Sequence, residues 1–146
     1  MRKSVTAFLQ SIGGRSIKAG PIQWKFTAEK IDGDIYRVNA TAYIDYPWRL
    51  YSRQSETEGP LPTQVEFEES AAVRLLGEPE EIGIFKEEYD TKLKVYTRYS
   101  TSVVSFVLPV QSYIRPETIK GKVIFMACTK KRCLNPAKIE FQVALD

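Results

Sequence analysis

GKVIFMACTKKRCLNPAKIEFQVAL, residues Gly121 to Leu145, contains both cysteines of the chain and reads as two strands joined by a short basic loop. Strict alternation of apolar and polar residues over four to eight positions is the signature of a half-buried strand. Lys138 to Leu145 follows it, with Ile139, Phe141, Val143 and Leu145 on one face and Lys138, Glu140, Gln142 and Ala144 on the other. Lys122 to Cys128 is apolar on both sides, with Val123, Phe125 and Ala127 opposed to Ile124, Met126 and Cys128. The spacing predicts a β-hairpin with Cys128 and Cys133 flanking Thr129-Lys130-Lys131-Arg132 at one end.

Three readings of the two thiols are open: a redox-active pair, a structural disulfide, or two unpaired buried thiols. A disulfide here closes a loop of six residues, and the chain-entropy model gives such a loop only about 2 kcal/mol of stabilisation. A crosslink serving stability gains more by joining distant strands. Charge points toward chemistry. Lys130, Lys131 and Arg132 lie between the sulfurs with no acidic residue among them, and nearby cations favour the thiolate, which is the attacking species in disulfide exchange. A structural zinc site needs four Cys or His ligands, whereas this chain has two Cys and no His.

The segment resembles the N-terminal domain of DsbD, the transmembrane protein-disulfide reductase of bacteria, and its stand-alone relatives in Bacteroidetes-like secreted proteins. The resemblance rests on Phe125-Met126-Ala127-Cys128, the short polar loop, Cys133 and Pro136, with pattern-level support from Val104 to Val110 and from Pro47-Trp48-Arg49-Leu50-Tyr51-Ser52. It covers roughly Trp24 to Leu145. It implies a periplasmic or secreted immunoglobulin-like β-sandwich whose cysteine pair, Cys128 and Cys133, passes electrons between a membrane-embedded thiol reductase and thioredoxin-like proteins. Such a domain would be one component of a protein-disulfide reductase and would work without a cofactor. The resemblance further implies that Trp48 and Tyr51 wall the sulfurs, and that the acidic segment Glu80 to Asp90 caps them. Tyr89 matches the capping aromatic, Phe85 is its rival, and Glu87 falls on an acidic position and could handle protons. By the same resemblance Cys133 is the cysteine that forms the mixed disulfide. The loop departs from the family in carrying one residue fewer between its cysteines. No thioredoxin-like domain can be read in these residues, so the membrane donor is expected to be a separate protein.

The remainder of the chain bounds these ideas. One domain is expected from 146 residues. An apolar fraction of 43% and a charged fraction of 27% are ordinary for a globular fold. The net charge of +3, with both signs interspersed, does not make a nucleic-acid footprint, and a monomer is expected. The lack of histidine removes Ser-His and Cys-His nucleophiles. No apolar run approaches the ~20 residues of a membrane span. Residues 1–20 read as an added leader or a short helix. A signal-peptide reading is weakened by Gln10 and Ser11, which interrupt its apolar core. Gly20-Pro21 then opens a domain over 21–146.

Within that domain the pattern gives an all-β sandwich of about eight antiparallel strands. Asp32-Gly33 marks a hairpin turn between the strands at Trp24 to Lys30 and Ile35 to Ile44. Ser112 to Lys120 reads as a connection. The competing function for such a fold is a non-catalytic immunoglobulin-like binding module whose hairpin disulfide is structural and whose binding face lies near Trp48.

Overall fold

The structure is a computed structural model that describes residues 16–114 and 117–145, and residues 7–12 as backbone. In chain order the strands are β1 (Ala7–Ile12), β2 (Ser16–Ala19), β3 (Ile22–Asp32), β4 (Ile35–Ile44) and β5 (Arg49–Tyr51). They continue with β6 (Gln64–Phe67), β7 (Val73–Leu75), β8 (Glu80–Gly83), β9 (Lys86–Asp90) and β10 (Val95–Ser100). The last are β11 (Val103–Ser112), β12 (Glu117–Phe125), β13 (Ala127–Cys128) and β14 (Ala137–Leu145).

Two sheets face each other. One runs β2-β3-β4-β11-β7, with β8 also paired to β11; the other runs β1-β14-β12-β6. The inward residues of β3 (Ile22, Trp24, Phe26) and β11 (Val104, Phe106, Leu108, Val110) are buried, as the alternation predicts. They meet Val123, Phe125, Ile139 and Phe141 from the second sheet in one apolar cluster. Trp24 packs on Phe125 with ring centroids 5.3 Å apart, and Phe26 stacks on Phe141 at 4.2 Å. Such aromatic pairs add about 0.5–1.5 kcal/mol each beyond their burial. Gly121 lets β12 pass close beneath Phe141, since a Cβ there would collide with that ring and with the Glu66 carbonyl. The architecture is an immunoglobulin-like β-sandwich, with no helix among the described residues.

Several expectations change. The strands number fourteen among the described residues rather than about eight, because β5, β8, β9 and β13 are too short or too polar to show a clear period, and because β1 and β2 lie ahead of the expected domain. One pair is not antiparallel: β1 runs parallel to β14, from Ala7 opposite Ala137 to Ile12 opposite Gln142. Pairing also reaches ahead of Pro21, where β2 pairs with β3 and Gly20, at φ 61°, lies in the turn between them. Gly20-Pro21 forms the turn of this hairpin, and the expectation for residues 1–6 and 13–15 lies outside the described residues. The expected connection at Ser112 to Lys120 is shorter, since β12 already begins at Glu117.

A third, smaller sheet has the order β13-β5-β10-β9 and carries the cysteine end of the hairpin. The chain changes sheets at Met126. Phe125 ends β12 against Ala137, and Ala127 resumes opposite Leu50 of β5. The apolar character of both faces of Lys122 to Cys128 has this cause. Val123, Phe125 and Ala127 enter the main core, while Met126 and Cys128 enter a second cluster with Tyr51, Tyr99 and Leu61.

Candidate functional site

Cys128 and Cys133 face each other as an isolated antiparallel bridge, with Cα atoms 4.0 Å apart and sulfurs bonded at 2.03 Å. The turn between them is closed by its own backbone. Thr129 N–H donates to the Arg132 carbonyl at 2.8 Å, and Leu134 N–H donates to the Ala127 carbonyl at 2.9 Å. The Thr129 hydroxyl accepts from the amides of Lys131 and Arg132 at 3.2 and 3.3 Å, a local side-chain cap of the kind that favours threonine in turns. The pair is asymmetric. Cys128 is 1% exposed and shares its cluster with Met126, Tyr51 and Tyr99, whereas Cys133 is exposed.

Register decides which side chains share the cysteine face. In a sheet, residues directly across from one another point the same way and neighbours along a strand point oppositely. Cys128 pairs with Arg49, Tyr51 with Tyr99, Tyr99 with Lys86, and Thr97 with Glu88. One face therefore carries Cys128, Arg49, Tyr51, Tyr99, Lys86 and Glu88. The other carries Ala127 and Leu50, which enter the main core, and beyond them Arg98, Glu87 and Tyr89.

Arg49 is the centre of the cysteine face. It is 7% exposed. Its guanidinium lies 4.1 Å from the centre of the Tyr99 ring and donates to the Glu88 carboxylate at 3.1 Å. A buried cation needs partners of this kind to offset its lost hydration. Burial acts to lower the Arg49 pKa, but hydrogen bonds with Tyr51 and Glu88 together with the electrostatic influence of Tyr99 and Glu88 more than reverse this, so the group is held above its usual value as a cation. Burial pushes the Tyr51 hydroxyl up, with the Arg49 hydrogen bond opposing, so this hydroxyl stays neutral around neutral pH.

The residues expected from the sequence divide into three groups. Tyr51 touches the Cys128 cluster, and Trp48 lies beside the loop with the Arg132 guanidinium 5.3 Å from its ring centre. Lys130, Lys131 and Arg132 stand exposed on the turn. None of the three pairs with a carboxylate of Glu80 to Asp90 among the described residues; the ion pair from that segment to this face joins Glu88 to Arg49.

The expected cap is not brought to the cysteines. Tyr89 and Glu87 lie on the opposite face of a strand three places from β13, about 14 Å away at the usual strand spacing. Tyr89 packs against Tyr96 there, with the rings tilted and their centroids 4.8 Å apart. Phe85 packs against the main core with the Arg98 guanidinium 4.1 Å from its ring centre. The segment is pinned rather than loose. The Glu81 carboxylate accepts from the Ser52 hydroxyl and the Arg53 amide at 2.6 Å each, and from Arg98 at 3.0 Å.

Arg49, Tyr99 and Glu88 were missed by sequence reasoning. Arg49 carried a usable signal, as an arginine inside the otherwise apolar Trp48-Arg49-Leu50-Tyr51 run. Such a charge at a core position either pairs inward or marks a site. Glu88 carried none, because choosing it over Glu87 requires the register of β9.

No family model and no curated protein matches the chain. Solved structures do. The N-terminal periplasmic domain of ScsB from Proteus mirabilis matches with a TM-score of 0.58 at 13% identity, over 90% of this chain and 49% of that one. The N-terminal domain of Neisseria meningitidis DsbD in its reduced form matches with a TM-score of 0.53 at 17% identity, over 83% of this chain and 86% of that one. The GAE domain of yeast GGA1 matches with a TM-score of 0.50 at 10% identity, over 89% and 96%. The chain thus spans about half the length of the ScsB structure. At these identities the likeness concerns the fold, and the chain is a β-sandwich of the kind found in the N-terminal domains of DsbD and ScsB.

Proposed function

We propose that the chain is a thiol–disulfide exchange domain that cycles Cys128 and Cys133 between disulfide and dithiol. One observation carries the reading: the disulfide joins an exposed sulfur-bearing residue, Cys133, to a buried one, Cys128, which lies directly across from the cation Arg49. An incoming thiolate attacks Cys133. The disulfide bond breaks and its electron pair leaves on Cys128 as a thiolate beside Arg49. The partner's second thiolate then attacks the partner sulfur of the mixed disulfide, releasing Cys133 as a thiolate and the partner as a disulfide. Two electrons have entered the pair, and solvent supplies protons to whichever thiolates take them up. Run in reverse, the same steps reduce a client disulfide.

The partners proposed are thioredoxin-like proteins and a membrane-embedded thiol reductase, in the periplasm. Support comes from the resemblance of the cysteine hairpin to that of DsbD, from the fold shared with the DsbD and ScsB domains, and from the periplasmic location of the ScsB domain. No helix among the described residues is long and apolar enough to cross a membrane.

The test is the reduction potential of the pair, measured in graded thiol buffers with alkylation of free thiols. A value of roughly −120 to −270 mV with the reduced protein folded supports exchange. A value well below about −300 mV, with unfolding on reduction, makes the bond structural and leaves a non-catalytic binding module.

A further inference from the structure

Beside the disulfide loop lies a groove of about 490 Å³, within the size range of specific ligand sites. Arg49 and Tyr99 line it, Thr129, Lys130 and Lys131 enter from the cysteine loop, and Lys86 and Glu88 enter from β9. Four of its lining side chains are cations and one is a carboxylate, so its excess positive charge equals the +3 of the entire chain. Glu88 is already committed to Arg49. Lys86, Lys130 and Lys131 take part in no ion pair among the described residues. These three cations stand on two different elements, across a groove continuous with the face that carries Cys128.

Building on the exchange reading, we infer that this groove docks an acidic stretch of the partner polypeptide flanking its reacting cysteine. Carboxylates of that stretch pair with Lys86 on one side and with Lys130 and Lys131 on the other, and so hold the partner thiol against Cys133. Complementary charge of this kind acts mainly on encounter rate and partner choice, and is screened by salt.

The experiment uses three otherwise identical peptides, each with one cysteine flanked by Glu, Gln or Lys. It follows reduction of the Cys128–Cys133 bond in the oxidised full chain by acid quench and alkylation. A fourth peptide, acidic and free of cysteine, reports binding alone by fluorescence anisotropy. The acidic cysteine peptide is expected to react about tenfold faster than the basic one at low ionic strength, and the gap should close near 0.5 M salt, where the Debye length is only about 4 Å. Lys86→Glu, which leaves the cysteine loop untouched, should abolish most of the preference. Lys30→Glu, with the same charge change at the exposed end of β3, should keep it. Measurable but equal rates for the three peptides, or equal effects of the two substitutions, overturn the docking site. Charge-selective binding of the cysteine-free peptide with no exchange by any peptide would leave the groove standing and sink the exchange reading instead.

Discussion

Arg49 stands directly across from Cys128 in the β5–β13 pair, enclosed by Tyr99 and tied to Glu88 at 3.1 Å. This places a permanent cation, 7% exposed, beside the cysteine proposed to carry the departing electron pair. Lys130, Lys131 and Arg132 are exposed, where water and salt weaken their influence. Arg49→Met should therefore make the bond harder to reduce. Losing about 1 kcal/mol of thiolate stabilisation shifts a two-electron couple by roughly 20 mV toward negative values. Arg49→Lys keeps the charge and should recover most of the shift. The methionine variant should fold, because Glu88 is half exposed and water can take over its solvation. An unchanged potential in Arg49→Met would remove Arg49 from the proposed chemistry.

Reduction should leave the fold intact. The turn is closed by its Thr129–Arg132 and Leu134–Ala127 backbone bonds, which do not depend on the sulfurs being joined, and most of the main core lies in strands other than β13. Opening a six-residue loop removes about 2 kcal/mol, which for a domain of this size lowers Tm by roughly 4–8 °C. Circular dichroism melts with and without excess reductant measure this. A reduced protein that is unfolded at room temperature contradicts it.

Alkylation of the reduced protein should separate the two thiols. Cys128 is buried and Cys133 is exposed, so access favours Cys133 even if Arg49 gives Cys128 more thiolate character. Native iodoacetamide labelling followed by peptide mass spectrometry should show Cys133 modified faster, on the order of tenfold or more, with the difference lost in denaturant. Comparable rates in the native protein would remove the asymmetry on which the order of attack rests.

Sequence and structure agree where a strand is long and one face is buried. β3, β4 and β14 are legible from period alone, because their inward residues are apolar and their outward residues mostly polar, and β11 is legible from its buried face of Val104, Phe106, Leu108 and Val110. The second strand of the cysteine hairpin is legible for the same reason, while the apolar character of both faces of its first strand reflects the change of sheets at Met126. The cysteine face is a different problem. Its members come from β5, β9, β10 and β13, strands of two to six residues, and their facing depends on register. In Lys86-Glu87-Glu88-Tyr89 a one-residue shift exchanges Glu87 for Glu88 on that face. Local pattern cannot fix this, because both positions are acidic and both are exposed.

Tyr51 gives the site a pH signature. Burial raises its hydroxyl pKa above the ordinary value of 10.0, so the folded protein holds this proton more tightly than the unfolded chain does. The associated stability is therefore fully present below about pH 10, and it is lost as pH rises through the folded value, at up to about 1.4 kcal/mol per pH unit between the two pKa values. Arg49 works against the loss by favouring the phenolate, but burial is the larger effect. Tyr51→Phe keeps the ring among Cys128, Met126 and Tyr99 and deletes the titrating group. Urea midpoints of the two proteins from about pH 8 to pH 11 should run parallel up to about pH 10, after which the wild type should fall more steeply. The other tyrosines are common to both proteins and cancel in the comparison. Curves that stay parallel throughout would mean that the Tyr51 hydroxyl titrates alike in the folded and unfolded chains, and that its burial beside Arg49 places no energetic constraint on the cysteine face.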